Sequence, residues 1–260
     1  MKYGITEIAI VPLRSSPSEG SEMLSQLLFG EWFEVLIERS NWTKVKLFHD
    51  GYEGWIDTKT ISFITHEKYE QLCSDKKVSV VSEPFLEIEN QKHERFYLPG
   101  GTTLPYHNGN QFEVSGNNFT IIGKTPVKFT ATDNQLPVVL AMQYLNSPYL
   151  WGGRTPWGID CSGLTQTVYR ILGISIPRDA SKQVQAGTTV NLLSEAKPGD
   201  LAFFDDNNGH IKHVGIIAEN GKIVHASGKV RIDNIDHNGI FNTDRHIYTH
   251  NLRVIKRIIQ

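Results

Sequence analysis

Near Gln135 the chain changes its hydrophobic period, and this limits what it can fold into more than any other feature. Before that point, from Ile8 to Ile64, short runs rich in Val, Ile, Trp, Tyr and Phe (VPLRSSP, GEWFEVLIER, WTKVKLFHDG, YEGWIDTKTISFI) are broken by Gly, Asn, Asp and Pro. Evenly spaced short strands of this kind predict a small barrel. One stretch inside it, Glu22 to Leu28, reads as a short helical turn. Residues 75 to 130 repeat the style more loosely, with turn signals at Gly100-Gly101, His107-Asn108-Gly109 and Ser115-Gly116-Asn117. After Gln135 the spacing becomes helical. A helix is expected from about Pro137 to Leu145, a second from Asp160 or Cys161 to Gly173, with Leu164, Val168, Ile171 and Leu172 on one face, and a third from about Arg178 to Ala186. Past Pro198-Gly199 the text returns to strands: DLAFF, KHVGIIA, KIVHAS, KVRID and RVIKRII. Helices followed by antiparallel strands define an α+β domain. The expected division is therefore a strand-rich module over 1–66, a second strand-rich module or linker over 67–132 and the α+β domain over 133–260.

The chain has 26 Lys+Arg against 28 Asp+Glu, and this balance gives no reason to expect a nucleic-acid or polyanion partner. Its two cysteines, Cys73 and Cys161, do not make a disulfide framework, so the fold must stand on its core. No apolar stretch approaches the length of a membrane span, and the first residues do not form a secretory signal, so the chain reads as cytoplasmic.

Cys161 stands in the stretch GIDCSG, at the mouth of the second helix, among glycines that offer little packing. A thiol attacks as thiolate, and two devices lower its pKa: the positive end of a helix and a neighbouring imidazole. Cys161 has the first by position. Asp160 opposes deprotonation if its charge faces the sulfur, so it must either cap the helix or bind something else. The second device must come from the strands. His213 opens HVGII and His225 sits in IVHAS, beyond an Asn220-Gly221 turn that makes the two strands an antiparallel hairpin. Counted from that turn, the two histidines are near each other without being directly opposite. One can act as base to Cys161 and the other can hold it in one tautomer. Taken singly, a cysteine at a helix start or a histidine in a strand is more often structural than catalytic. A metal site at His210 and His213 is disfavoured, because an i, i+3 pair on a strand faces opposite sides.

Taken together, PYLWGGRTPWGIDCSGLTQTVYRILGISIPRDASKQ, KPGDLAFF and HVGIIAENGKIVHAS resemble the NlpC/p60 family of papain-like cysteine peptidases, over roughly Gln135 to Gln260. The front half, with NWTKVKL and GYEGWI, resembles a bacterial SH3-like domain, a layout similar to γ-D-glutamyl-L-diamino acid endopeptidases. The resemblance implies Cys161 as nucleophile, His213 as general base and His225 as the orienting third residue. It implies no metal and no cofactor. The implied substrate is a murein stem peptide with a free N-terminal L-Ala, cut at the γ-D-glutamyl bond to release L-Ala-γ-D-Glu in peptide recycling, by a monomer. Substrate contacts are implied for Asp160, Ser162, Asp179 and Trp151, and in the SH3-like domain for Tyr52 and for Glu22 or Glu31. Ala180 stands where the family often has Ser, with Ser181 beside it. A non-catalytic wall-binding protein, or an amidase or acyltransferase on the same fold, is the alternative.

Overall fold

The computed structural model describes residues 1–75, 78–129, 133–206 and 208–259. Two compact units emerge, Met1–Lys128 and Phe129–Gln260. The expected boundary at 132/133 touches residues 130–132, which lie outside the described residues.

In the first unit, β1 (Lys2–Ile5), β2 (Ile10–Arg14), β3 (Met23–Leu28), β4 (Trp32–Arg39), β5 (Trp42–Leu47), β6 (Glu53–Asp57) and β7 (Ser62–Ile64) form one antiparallel sheet, ordered β3-β2-β6-β5-β4-β1-β7. Its core is Val11, Leu13, Leu27, Phe33, Val45, Leu47 and Ile56. The helical turn expected at Glu22–Leu28 is a strand instead. Its residues are good helix formers, but β3 pairs with β2 from Ile10↔Leu28 to Arg14↔Met23 and buries Leu27 and Leu28 completely. Tertiary pairing overrides intrinsic preference here.

A helix that the sequence reading did not anticipate, α1 (His66–Ser74), follows, capped by the Thr65 hydroxyl, which accepts from Lys68 N at 3.2 Å. Beyond it, β8 (Ser79–Val80) pairs with β11 (Thr103–Leu104), while β9 (Phe85–Asn90), β10 (Arg95–Pro99), β12 (Gln111–Val114) and β13 (Asn117–Ile122) form a four-stranded sheet. Tyr3, Ile5, Phe29 and Trp32 of the first sheet region share a core cluster with Tyr69 and Leu72 of α1 and with Leu86, Ile88, Phe112 and Phe119 beyond. A shared core explains why residues 1–128 cluster as one unit.

The second unit opens with α2 (Leu136–Met142), the short pair β14 (Arg154–Thr155) and β15 (Gly158–Ile159), α3 (Cys161–Ile171) and α4 (Ala180–Gln183). The last is one turn long, shorter than the expected Arg178–Ala186, and the chain leaves it through Gly187, whose φ of +69° no L side chain adopts easily. Strands β16 (Thr188–Val190), β17 (Leu201–Asp205), β18 (Ile211–Ala218), β19 (Lys222–Ser227), β20 (Lys229–Asp236), β21 (Gly239–Asn242) and β22 (Ile247–Arg257) build a sheet ordered β16-β22-β17-β18-β19-β20-β21, with β22 also pairing β21. Ala202, Phe204, Ile217, Ile223, Ile235, Ile240 and Ile255 form one cluster on this sheet, while α3 packs on β18 and β19.

α3 is more enclosed than its apolar stripe predicts. Thr165, Gln166 and Thr167 are buried along with Leu164 and Val168. Such a helix is tolerable only if its polar side chains find partners. Thr165 donates to the Ser162 carbonyl at 3.0 Å, and Gln166 Nε2 donates to the Ile176 carbonyl at 3.2 Å.

Candidate active site

Asp160 is the N-cap of α3, and its carboxylate is fully engaged. Oδ1 accepts from Gly163 N at 2.6 Å and Ser162 Oγ at 3.2 Å, and Oδ2 accepts from Gly152 N at 2.8 Å. Arg178 grips both oxygens, Nη1 to Oδ1 at 3.0 Å and Nη2 to Oδ2 at 2.7 Å, and Nη1 also reaches Ser162 Oγ at 2.8 Å. Of the two roles expected for Asp160, capping the helix or binding something else, the structure shows the cap. Arg178 offsets part of its charge, one residue away from the thiol. Gln183 ties α4 to the same turn: Nε2 donates to the carbonyls of Ser162 (3.0 Å) and Pro177 (2.8 Å), and Oε1 lies 2.8 Å from Thr165 Oγ1.

The glycines around Cys161 serve close backbone packing. A Cβ on Gly163 would lie 2.2 Å from the Gly153 carbonyl oxygen, and one on Gly153 would lie 2.3 Å from that of Gly158. The helix start is thus pressed against the WGG turn at a separation only glycine allows. In HVG the same logic holds. Gly215 faces His225 across the β18–β19 ladder, and a Cβ there would lie 3.0 Å from His225 Cβ and 2.7 Å from Ile223.

Cys161 is 6% exposed, and its sulfur is within hydrogen-bonding reach of the backbone N–H of Val214, the residue after His213. Against the lowering expected from the helix start stands the depth of burial. Burial, then the charge of Asp160, push the thiol up to about 12, against the opposing pull of Val214 N–H, Arg178 and Ser162 N–H. Burial also drives His213 well below the ordinary imidazole range, with His250 and His225 adding to the effect. Burial thus disfavours both the thiolate and the imidazolium.

Behind His213 runs a buried chain of contacts. His213 Nε2 lies 2.9 Å from His225 Nδ1, and His225 Nε2 lies 3.1 Å from Asp233 Oδ2. Arg231 Nε donates to Asp233 Oδ2 at 2.7 Å and Nη2 donates to Oδ1 at 2.8 Å, while Nη2 also meets Asp244 at 2.8 Å. Despite its burial, hydrogen bonds from His225 and Arg231 hold the Asp233 carboxyl far below its usual range. His250 stacks on His213 with ring centroids 4.1 Å apart and 25° between planes, and burial lowers it to about 4.

Ring nitrogens of His213, His225 and His250 lie within 4.8 Å of one another, and among the described residues these three are the set that could hold a metal ion. Their geometry favours the hydrogen-bonded chain, since His213 and His225 direct ring nitrogens at each other and near-parallel stacked rings do not converge their lone pairs. His210 is not part of this set: it precedes β18, is exposed and approaches Asp206 at 3.3 Å.

The remaining candidates are spread out. Trp151 is 60% exposed beside the helix start. Asp179 is the N-cap of α4, partly exposed and paired with Lys182 at 3.3 Å. In the first unit, Tyr52 packs against the Val11–Ile56 core, Glu22 is exposed just before β3, and Glu31 is buried, accepting from Leu28 N at 3.0 Å with His49 at 3.7 Å. Five groups were not singled out from the sequence, the stacked His250 among them. Arg231 and Asp233 occupy alternate positions of KVRID, a period-two signal that puts both on one face, and Arg231 pairs with His225 in register. Arg178 stands in PRD. Tyr149, in PYLWGG, has its hydroxyl raised to about 12 by burial and by the neighbouring Cys161 and Asp160, so it remains protonated as a donor.

A cysteine at the start of a buried helix and a buried histidine chain on the sheet against which that helix packs define a thiol hydrolase. Residues 146–248 match the NlpC/P60 family and residues 13–61 the bacterial dipeptidyl-peptidase SH3 domain. The chain is 33% identical over 227 residues to the γ-D-glutamyl-L-lysine dipeptidyl-peptidase of Bacillus subtilis (strain 168), spanning 78% of this chain and 71% of that one. To the protein of the same name from Bacillus cereus (strain ATCC 10987 / NRS 248) it is 27% identical over 240 residues, 80% of this chain and 68% of that one. The crystal structure of an NlpC/P60 family protein from Bacillus cereus ATCC 10987 shares the fold, with a TM-score of 0.84 at 20% identity, covering 99% of this chain and 100% of that one. The chain belongs to the NlpC/P60 family, carries an SH3-like N-terminal domain, and is a hydrolase. Among the described residues, no helix is long and apolar enough to cross a membrane.

Proposed function

We propose that this chain is a papain-like cysteine peptidase that hydrolyses the γ-D-glutamyl bond to a diamino acid in murein stem peptides with a free N-terminal L-Ala, releasing L-Ala-γ-D-Glu. The observation that supports the reading is the chain Asp233–His225–His213 on β18 to β20, together with the Val214 N–H next to His213 that reaches the Cys161 sulfur at the head of α3. In the proposed reaction His213 takes the Cys161 proton as the sulfur attacks the γ-carbonyl of D-Glu. Backbone N–H groups at the head of α3, including that of Cys161, face the oxyanion. His213 returns the proton to the departing amine and then activates water to release the acyl group. Asp179 is the proposed partner of the substrate ammonium, Trp151 an apolar wall, and Asp160 and Ser162 fix the turn from which Cys161 acts. A monomer acting on recycled peptides in the cytoplasm fits this reading, because one chain supplies the nucleophile and the whole histidine chain.

The test is turnover of L-Ala-γ-D-Glu-diaminopimelate and L-Ala-γ-D-Glu-L-Lys, each with its amine free or acetylated. Release of L-Ala-γ-D-Glu from the free peptides, lost in Cys161→Ala, is expected. Equal rates on acetylated peptide, or retained turnover in Cys161→Ala, would refute the reading.

A further inference from the structure

The proposed reaction requires that the His213 nitrogen facing the sulfur be unprotonated, and the family comparison does not say what enforces it. We infer that Asp233, locked by Arg231, is a positioning residue that sets the tautomer of both histidines. The inference rests on the peptidase reading for its consequence but on geometry for its content.

Asp233 is 1% exposed and ionised, so it can only accept hydrogen bonds. Its Oδ2 lies 3.1 Å from His225 Nε2, so that nitrogen must carry the hydrogen. When both rings are neutral, as a base awaiting the thiol proton requires, His225 presents a lone pair at Nδ1. The contact of 2.9 Å between His225 Nδ1 and His213 Nε2 requires a hydrogen on His213 Nε2. His213 Nδ1 is left with its lone pair, and in the proposed reaction this is the nitrogen that takes the thiol proton. The assignment passes along two rings from one carboxylate, and no other arrangement of two neutral imidazoles satisfies both contacts.

Arg231 makes the carboxylate a fixed reference. It donates to Oδ2 at 2.7 Å and to Oδ1 at 2.8 Å, so both oxygens are held as acceptors and the group cannot turn. An amide in place of Asp233 cannot satisfy this setting. With its NH2 at the Oδ1 position it opposes Arg231 Nη2. With its NH2 at the Oδ2 position it opposes Arg231 Nε, but it can donate to His225 Nε2, which reverses the hydrogen on every subsequent ring nitrogen and leaves His213 Nδ1 protonated and unable to act as base.

Long-range nitrogen–proton NMR on 15N-histidine-labelled protein reads these tautomers directly. In the native chain, His213 and His225 should both be Nε2–H. In Asp233→Asn both should move toward Nδ1–H, with kcat down by about 10²–10⁴-fold and KM within a few-fold, the pattern expected when a base holds the wrong tautomer. The native spectrum decides the question even if that variant fails to fold: His225 found as Nδ1–H overturns the inference, as does an Asp233→Asn protein with unchanged tautomers or near-native kcat. Because the spectrum involves no turnover, an inactive native chain with both rings Nε2–H would defeat the peptidase reading while leaving the tautomer assignment standing.

Discussion

The guanidinium of Arg178 closes on both carboxylate oxygens of Asp160, at 3.0 and 2.7 Å, in an interior where the two side chains are 2% and 7% exposed. Asp160 immediately precedes Cys161, so this pair decides what field the sulfur feels. A buried pair is not strong evidence for stability, but a broken one leaves a bare charge in a low-dielectric site.

Arg178→Met should therefore destabilise the second unit by about 3–5 kcal/mol, read as a fall in the urea midpoint. Arg178→Lys keeps the charge but loses the fork, and should lie between that variant and the native chain. An unaltered midpoint in Arg178→Met would mean that water or another cation compensates Asp160.

The balance of effects on Cys161 predicts a thiol that is slow toward electrophiles. With burial holding it near 12, alkylation of Cys161 by iodoacetamide at about pH 7.5 should be at least about 10²-fold slower than that of an unperturbed cysteine. It should keep accelerating as pH rises. His213, lowered from 6.5, should place the acid limb of kcat/KM below 6.5, because only the neutral ring can accept the proton. Peptide mapping separates Cys161 from Cys73. A rate that levels off near neutral pH would instead reveal a preformed thiolate–imidazolium pair.

Much of this architecture was legible in the residues. The 3.6-residue spacing of Leu164, Val168 and Ile171 located α3, and the Asn220-Gly221 turn located the hairpin that brings His213 near His225. What escaped depends on long-range pairing. Met23–Leu28 looks helical by composition, and only its partner strand makes it extended. Asp233, Arg231 and His250 become part of the site because β19 pairs β20 and because β22, which carries His250, pairs β17 beside β18, relations that no local pattern contains. The surroundings of Cys161 show the same limit: a helix start is visible in sequence, whereas the depth of burial that opposes its effect on the thiol is not.

Gly163 and Gly173 lie near the two ends of the same helix and should respond in opposite ways. A Cβ at Gly163 would fall 2.2 Å from the Gly153 carbonyl, a backbone atom that cannot swing aside. Gly163→Ala should shift the head of α3, and with it Cys161, cutting kcat by at least about 10-fold and stability by more than about 2 kcal/mol. Gly173 has a φ of +76° and open space around its Cβ position, so Gly173→Asn should cost less than about 1 kcal/mol and leave kcat unchanged. Equal effects at the two sites would show that the close approach at Gly163 relaxes at little cost.

His250 supplies a prediction for stability against pH. Its folded pKa is lowered from 6.5 to about 4, chiefly by burial, with the neighbouring His225 adding and Asp233 opposing. In the unfolded chain the same ring takes a proton near 6.5. Between those values the unfolded state binds more protons than the folded one, so stability is intact above 6.5 and declines as pH falls toward 4. The contribution of this one group is at most about 3 kcal/mol. His213 is lowered in the same direction and adds to the slope. Replacing His250 by Gln removes one titrating ring. The unfolding free energy of His250→Gln should then fall less steeply than that of the native chain between about pH 6.5 and 4.5, whatever its absolute value at neutral pH. Parallel curves for the two proteins would show that His250 takes up its proton without leaving the folded state, and that its stack on His213 opens to water at little cost.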